Sequence, residues 1–159
     1  MLGSTAFQVV VNDMNGNITK IQKRLTQDPE NSKTLQGMVL QEVKEGKKKT
    51  GTQALLWLSR GLQFTEAAIS QTLDHPEKEM TETFTTAYKN TLIKYHSMFV
   101  RPIFKLAMKA CPYRRDFFAK LGNDQAKVLQ QMKEWVNSLA SIVKIIVDFY
   151  ASGNYGKGL

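Results

Sequence analysis

Apolar side chains recur every three or four residues along most of this 159-residue chain. This spacing is typical of amphipathic α-helices, in which such positions share one face. No segment of any length alternates apolar and polar residues with the period of two that a half-buried β-strand requires. The length suffices for one domain with a substantial core. The sequence therefore predicts an all-α fold in a single domain over residues 1–151, followed by a flexible tail, 152–159.

Proline, glycine and short polar clusters interrupt the periodicity and set the expected helix boundaries. After a first helix that includes residues 12–24, we expect helices over 33–45, 52–73, 79–102, 103–110, 114–122 and 124–151. Ser32 or Asn31 is expected to cap the second helix, and Pro102 is expected to kink or end the fourth. One row of the last helix is expected to face inward: Val128, Met132, Trp135, Leu139, Ile142, Val143, Ile146 and Tyr150. The glycine-rich tail should fray.

The charge is more informative than the hydrophobic content. Lys and Arg together number 22 against 14 Asp and Glu, which gives a net charge of +8. A basic balance favours an acidic partner, either nucleic acid or an anionic membrane surface, without choosing between them. Cys111 is the single cysteine, so no intramolecular disulfide can form. The N-terminal residues lack a signal-peptide pattern and no apolar run reaches 18 residues, so we expect a cytoplasmic protein without a membrane span.

The residue patterns of the common enzyme classes are missing. His75 and His96 do not form a pair at zinc-binding spacing, and Cys111 precedes a proline with no visible base to activate it. The stretch GKKKTG lacks the spacing of a phosphate-binding loop, and nothing resembles a nucleophile elbow or a carboxylate dyad. We therefore expect a protein that is not an enzyme and holds no cofactor or metal.

A row of polar side chains follows the first helix. At about 100° per residue, Asp13, Asn17, Lys20 and Arg24 form one cluster about 90° from the apolar stripe. The stripe itself consists of Val10, Met14, Ile18, Ile21 and Leu25. Acceptors and donors thus lie in a line along the edge of an apolar surface, an arrangement that suits a ligand with a polar and an apolar part.

Trp57 lies away from the main apolar face of its helix. It shares one side with Gly61, Phe64 and Ala68, and Arg60 is about 60° away. The opposite, buried face is expected to comprise Leu55, Leu58, Leu62, Ile69 and Leu73. An indole flanked by donors suits stacking on a sugar ring, whereas the alternative is that Trp57 packs in the core from a second direction. His96 lies in a strongly apolar segment. The alternative for His96 is likewise a place in the core, with its ring nitrogens hydrogen-bonded to neighbours.

Five segments, in order, resemble the glycolipid transfer protein family, and especially its fungal members, whose archetype is a heterokaryon-incompatibility protein. They are VNDMNGNITKI, TLQGMVLQEV, ALLWLSRGLQF, AYKNTLIKYHSMFVRPIF and CPYRRDFFAKL. The resemblance runs from Leu2 to about Tyr150. It implies a two-layer, all-helical sandwich that encloses the ceramide chains of one glycosphingolipid. Such a protein moves the lipid between membranes, as a monomer with transient membrane contact and without covalent change.

The resemblance also assigns residues. The headgroup centre would comprise Asp13, Asn17, Lys20, Trp57, Arg60 and His96. Phe104 matches a pocket phenylalanine for the ceramide chains, with Phe7, Val10, Leu92 and Phe99 as expected neighbours. Some members carry a tryptophan for bilayer docking two residues after the histidine, where this chain has Met98 followed by Phe99. Basic residues are expected around the pocket mouth: Arg101, Lys105, Lys109, Arg114 and Arg115.

The resemblance leaves alternatives open. The chain begins in the middle of the family's second helix, so the first helix is expected to be missing, and a non-transferring glycolipid sensor on the same fold is one alternative. Another is a ceramide-1-phosphate carrier, whose branch keeps the Asp but uses a cationic cluster without the stacking Trp. Asn17 and Trp57 favour neutral glycosphingolipids instead. A basic nucleic-acid binder, suggested by KEGKKKTG, lacks the expected exposed aromatics, so nucleic acid is not an expected partner.

Overall fold

The computed structural model describes residues 5–46 and 48–159, with side chains from Gln8 onward. These residues form seven α-helices and no strand, which confirms the all-α prediction. The helices are α1 (Thr5–Gln27), α2 (Leu35–Glu45), α3 (Thr50–Asp74), α4 (Met80–Asn90), α5 (Val100–Lys109), α6 (Arg114–Leu121) and α7 (Gln125–Ser152). No helix in the described part of the chain is long and apolar enough to cross a bilayer.

The helices form a two-layer sandwich with α3 as its central element. In one layer α3 contacts α2, α4 and α7, while in the other α1 contacts α5. The layers meet where α1 lies on α3 and α5 on α4, and α6 packs against α7. Because α3 has neighbours on nearly every side, a residue on almost any of its faces lies against another helix.

Two groups of buried apolar residues fill the sandwich. One includes Phe64, Ala68, Tyr88, Phe104 and Met108, and the second centres on Met38, Val39, Ala54, Leu55, Ile146 and Tyr150. Leu55 and Ile69 of the predicted inner face of α3 are buried, whereas Leu58, Leu62 and Leu73 are only half-buried. Phe64 and Ala68 are buried as well, because α3 packs against helices of both layers.

Helix α2 begins and ends where its sequence provides caps. The Thr34 hydroxyl accepts a hydrogen bond from the amide of Gly37, and Gly46 ends the helix at φ 66°. A left-handed residue at this position is most readily glycine. The prediction that Ser32 or Asn31 caps α2 is wrong, because the helix starts two residues later than expected and Thr34 occupies the capping position.

The first turn of α3 is capped by another helix. Glu42 of α2 is buried, and its carboxylate accepts hydrogen bonds from the amides of Gly51 and Thr52 at 2.9 and 2.7 Å. A Cβ at position 51 would lie 3.2 Å from Glu42 Oε1 and 2.8 Å from the sulfur of Met38, so the close approach requires glycine. The negative carboxylate also complements the positive end of the α3 dipole. This contact fixes the start of α3 relative to α2.

The predicted helix over residues 79–102 is wrong in its second half. Helix α4 ends at Asn90, residues 91–99 form successive turns, and α5 begins at Val100. Pro102 therefore lies in the first turn of α5. Backbone amides in the first turn have no carbonyl acceptor within the helix, so a proline without an N–H is tolerated there. The break places Tyr95, His96, Met98 and Phe99 on a connection rather than on a helix.

The last helix differs from its prediction in two of the eight inward residues. Val128, Leu139, Val143, Ile146 and Tyr150 are buried and Met132 is half-buried, but Trp135 is 52% exposed and Ile142 is 53% exposed. Trp135 and Ile142 therefore lie on an exposed side of α7.

The tail, expected to fray, folds back onto α7. The amide of Tyr155 donates to the Tyr150 carbonyl, and the Tyr155 ring lies 4.9 Å from the ring of Phe149. The glycine content of the tail predicted fraying, and it gave no indication of the contact between Tyr155 and Phe149.

Candidate functional site

Helix α1 presents the polar row to a cavity between the two layers. Asp13 and Lys20 are exposed, whereas Asn17 is 6% exposed. The Asn17 amide nitrogen donates to the Asp13 carbonyl at 3.0 Å and lies 3.4 Å from its Oδ2. The two side chains are thereby oriented before any ligand arrives, which lowers the entropic cost of binding.

Arg24 and Ile18, which the sequence placed with the polar row and the apolar stripe, lie elsewhere. Arg24 pairs with Glu45 at 2.5 Å and lies 3.4 Å from Glu42, so it joins α1 to α2. Ile18 is exposed rather than buried. The row that faces the cavity is therefore Asp13, Asn17 and Lys20.

Trp57 is half-buried at the same cavity. Its ring is nearly parallel to the His96 ring, with an angle of 16° and a centroid distance of 6.1 Å, and it meets Tyr95 edge-on at 6.5 Å. The Arg60 guanidinium carbon lies 4.6 Å from the Trp57 centroid and 3.8 Å from the Tyr95 centroid. Arg60 is not among the residues that line the cavity.

His96 is positioned by three neighbours. Its Nδ1 lies 3.1 Å from the Tyr88 hydroxyl, its ring lies 4.3 Å from the Phe104 ring, and Arg101 Nε donates to the His96 carbonyl at 3.0 Å. Burial lowers the pKa of His96 below its usual 6.5, an effect that Asp13 partly opposes and Arg101 reinforces. A neutral imidazole that accepts from Tyr88 at Nδ1 carries its proton on Nε2 and can donate it.

These residues converge on one cavity of about 540 Å³. Its lining consists of Val9, Asp13, Asn17, Lys20, Lys48, Thr50, Gln53, Ala54, Trp57, His96, Val100, Ile103 and Phe104. A narrow recess of about 20 Å³ continues inward from Asp13, Trp57, His96 and Phe104. Its remaining lining is mostly apolar: Val10, Met14, Gly61, Phe64, Thr65 and Leu92. We refer to the two as the polar cavity and the apolar recess.

Two other cavities have similar volumes. One, of about 520 Å³, lies between α6 and α7 near Glu79 and Arg115, and the second, of about 460 Å³, lies near Lys23 and Glu45. Neither shares its lining with the apolar recess, whereas the polar cavity does. The polar cavity is therefore the candidate site for a ligand with both a polar and an apolar part.

The residues predicted for the apolar pocket have three different outcomes. Val10, Leu92 and Phe104 line the recess, and their contact with ceramide chains stays a prediction. Phe99 does not, because residues 91–99 are a connection and its side chain is 87% exposed. The side chain of Phe7 lies outside the described residues.

Exposed apolar side chains lie on the connection and on α5. Met98 is 76% exposed, and Phe99, Ile103 and Leu106 are exposed as well. Ile103 also lines the polar cavity, so this apolar surface is continuous with the mouth of the site.

The predicted ring of five basic residues around the mouth is only partly present. The Arg114 side chain donates to the Thr72 carbonyl and its backbone amide donates to Glu79, so Arg114 is held at the end of α3 and the start of α4. Arg115 lines the separate cavity between α6 and α7. Arg101 holds the connection through the carbonyls of Ile93 and His96. Lys105 and Lys109 remain as exposed charges on α5, beside the apolar surface.

Sequence reasoning missed several residues of the site. Tyr88 and Tyr95 contact His96 and Trp57, and Lys48, Thr50 and Gln53 line the polar cavity. Helical spacing could not predict the contact between Tyr88 and His96, because the chain leaves α4 and turns between these two residues. Lys48 and Thr50 lie between the predicted helices 33–45 and 52–73, and their contact with the site depends on where α3 begins.

No three His, Cys, Asp or Glu side chains converge as a metal site in the described part of the chain. Burial raises the pKa of the Cys111 thiol to about 12, so it carries no nucleophilic thiolate at neutral pH. The fold and the site together define an all-α sandwich with a polar cavity that opens into an apolar recess.

Comparison with known proteins identifies the family. A family model described as glycolipid transfer protein matches residues 1–123. The glycolipid transfer protein of Aureobasidium melanogenum is 50% identical over 152 residues, which cover 96% of this chain and 75% of that protein. The chain belongs to the glycolipid transfer protein family.

Solved structures agree with this assignment. The fungal glycolipid transfer protein HET-C2 superposes with a TM-score of 0.89 at 44% identity, over 94% of this chain and 75% of that chain. Mouse ceramide-1-phosphate transfer protein superposes with a TM-score of 0.86 at 23% identity, over 96% and 79% of the two chains. The second comparison shows a common fold, and it carries no information on the headgroup that this chain binds.

Proposed function

We propose that this protein binds one glycosphingolipid and transfers it between membranes without covalent change. The observation that carries the proposal is the junction of the polar cavity with the apolar recess at Asp13, Trp57, His96 and Phe104. A glycosphingolipid has the same division, with a sugar and an amide at one end and hydrocarbon chains at the other. The names of the similar fungal proteins support the same ligand class.

The polar cavity provides complementary groups for a neutral headgroup. Asp13 and the Asn17 carbonyl can accept from sugar hydroxyls and the ceramide N–H, and Lys20 can donate to sugar oxygens. The indole of Trp57 offers a flat apolar face to the C–H groups of the first sugar. The Nε2 proton of His96 can be donated to the ceramide carbonyl. A headgroup that leaves such buried groups unpaired costs about 1–3 kcal/mol for each one, which is the basis of selectivity.

The apolar recess must open for the hydrocarbon chains. At about 20 Å³ it is nearly closed, and its walls come from α1, α3, α5 and the connection. We infer that chain entry separates α1 and α5 from α3. Transfer of the chains into this interior contributes about 25 cal/mol for each Å² of apolar surface removed from water.

Membrane contact is the remaining step of the proposal. Met98 and Phe99 are exposed apolar residues on the same connection as His96. The exposed apolar surface is therefore joined directly to the binding site. Insertion of these side chains into the bilayer interface would place the mouth of the cavity against the lipid surface. We propose a peripheral and transient association from the cytoplasmic side, by a monomer.

The proposal is tested by transfer of fluorescent galactosylceramide between phosphatidylcholine vesicles. We expect the protein to accelerate this transfer and to move ceramide-1-phosphate more slowly, because Trp57 and Asn17 suit a sugar. Faster transfer of ceramide-1-phosphate would contradict the headgroup assignment. Tight binding of galactosylceramide without transfer would indicate a sensor on the same fold, and binding of neither lipid would contradict the proposed function as a whole.

A further inference from the structure

Arg60 was expected in the headgroup site, but it contacts two aromatic rings instead. Its guanidinium carbon lies 3.8 Å from the Tyr95 centroid and 4.6 Å from the Trp57 centroid. Trp57 and Arg60 lie on α3, while Tyr95 belongs to the connection between α4 and α5. The guanidinium thus lies in the corner between two rings that meet edge-on at 77°.

A cation against the face of a ring is attracted by the negative potential of that face. The attraction is stronger where water is partly excluded, and Arg60 is half-buried. Burial also lowers the pKa of Arg60 from its usual value, and Tyr95 opposes this shift. Arginine side chains are effectively always protonated in proteins at neutral pH, so both contacts persist.

We propose that Arg60 is a positioning residue, which clamps the indole of Trp57 against Tyr95 and thereby fixes the sugar-stacking surface. This inference rests on the proposed function of the polar cavity. It assigns to Arg60 an action through Trp57, without a direct contact with the headgroup. Tyr95 is the second half of the clamp.

The clamp also joins the two parts of the site. Tyr95 precedes His96, and Arg101 holds the same connection through the carbonyls of Ile93 and His96. Arg60 therefore ties the indole on α3 to the segment that carries the imidazole. Loss of the clamp should let Trp57 change its side-chain orientation while His96 is still held by Tyr88 and Arg101.

The test uses Trp57 as its own reporter. The chain has two tryptophans, and Trp135 is 52% exposed on α7, so Trp135→Phe leaves Trp57 as the single emitter. In this background we would compare Arg60→Met, Tyr95→Leu and the double variant. Lys133→Met, which removes a positive charge from an exposed position on α7, is the matched control.

In the lipid-free protein, Arg60→Met and Tyr95→Leu should each shift the Trp57 emission to the red and increase its quenching by acrylamide. Lys133→Met should change neither. Each single variant should bind galactosylceramide vesicles about tenfold more weakly, as expected for the loss of a partly desolvated cation–π contact. The double variant should bind no more weakly than the singles, because the two residues act as one unit.

Two results would overturn the proposal. One is an unchanged Trp57 emission and quenching in both single variants. The other is weaker binding in Arg60→Met with unaffected binding in Tyr95→Leu, which would indicate a direct contact between Arg60 and the headgroup. The fluorescence measurements need no lipid, so they test the clamp even if the protein binds no glycosphingolipid.

Conservative variants control for folding. Tyr95→Phe keeps the ring and Arg60→Lys keeps the charge, so the first should preserve Trp57 emission and binding and the second should restore part of both. If Arg60→Met fails to fold, this pair decides the question. Loss of binding in Tyr95→Phe would show that the hydroxyl, rather than the ring, is required, and it would contradict the clamp.

Discussion

The hydroxyl of Tyr88 lies 3.1 Å from Nδ1 of His96, and it joins the most buried part of the core to the polar cavity. Burial raises the pKa of Tyr88, so its phenol keeps its proton at neutral pH and can donate it. When the phenol donates in this contact, Nδ1 accepts and the imidazole proton is on Nε2, the nitrogen proposed to meet the ceramide carbonyl.

Tyr88→Phe should therefore weaken lipid binding while the fold is retained. The ring still packs against Phe104, but Nδ1 loses its partner and the orientation of the imidazole is no longer fixed. The loss of one hydrogen bond of about 1 kcal/mol corresponds to about fivefold weaker binding of galactosylceramide. Tyr113→Phe, at an exposed position before α6, is the control. Equal affinities of the two variants would contradict the role of Tyr88.

The stability of the protein should depend on His96 below neutral pH. Because burial lowers its pKa in the folded state, the unfolded state binds more protons. The contribution of His96 to stability is complete above the unfolded pKa of about 6.5 and is lost as the pH falls through the folded-state pKa. Denaturant unfolding at a series of pH values should show this loss. It should be absent in His96→Gln and retained in His75→Gln, and its persistence in His96→Gln would exclude His96 as the cause.

Glu42 should matter for folding and not for the headgroup. In Glu42→Leu the amides of Gly51 and Thr52 lose their acceptor, and each buried unsatisfied donor costs about 1–3 kcal/mol. We expect the free energy of unfolding to fall by about 3 kcal/mol or more. Glu30→Leu, which removes an exposed carboxylate just before α2, should cost less than about 1 kcal/mol. Similar costs in the two variants would show that the carboxylate does not hold the start of α3.

Met98 and Phe99 should be required for membrane contact but not for ligand recognition. The double variant Met98→Ser/Phe99→Ser loses two apolar side chains worth about 1.5–3 kcal/mol each in a fully apolar environment. Transfer between vesicles should fall by at least about tenfold, while binding of a water-soluble, short-chain galactosylceramide stays unchanged. Leu40→Ser removes an exposed apolar side chain from α2 and should affect neither. Normal transfer by the double variant would contradict docking through Met98 and Phe99. It would indicate docking through the lysines of α5, and such electrostatic docking should weaken as the salt concentration rises.

The sequence predicted the helices well where caps and periodicity agree, and less well where the tertiary contacts decide. Helix α7 starts after the capping Asp124 and ends within a residue of its expected end. Residues 91–99 have helix-compatible periodicity, yet they form turns in which Arg101 holds the carbonyls of Ile93 and His96. A contact of this kind is not encoded in local spacing.

The candidate site shows the same division. Asp13, Asn17 and Lys20 share one helix, so helical geometry alone brought them together. Trp57 and His96 come from separate elements, and their place beside the row came from the family resemblance. The outward position of Phe99 and the contact of Arg60 with Tyr95 depend on the path of the connection, which the sequence placed in a helix.

Trp57→Ala tests the central claim most directly, because it separates recognition from packing. The measurement is galactosylceramide transfer per folded molecule, with unfolding monitored in the same sample. Trp57 lies half-buried on the cavity, so we expect the variant to remain folded and helical and to lose nearly all transfer. A core tryptophan would instead cost about 3–5 kcal/mol of stability on truncation. A variant that is destabilised to that extent, while its folded fraction transfers galactosylceramide at the parent rate, would contradict the sugar-stacking role.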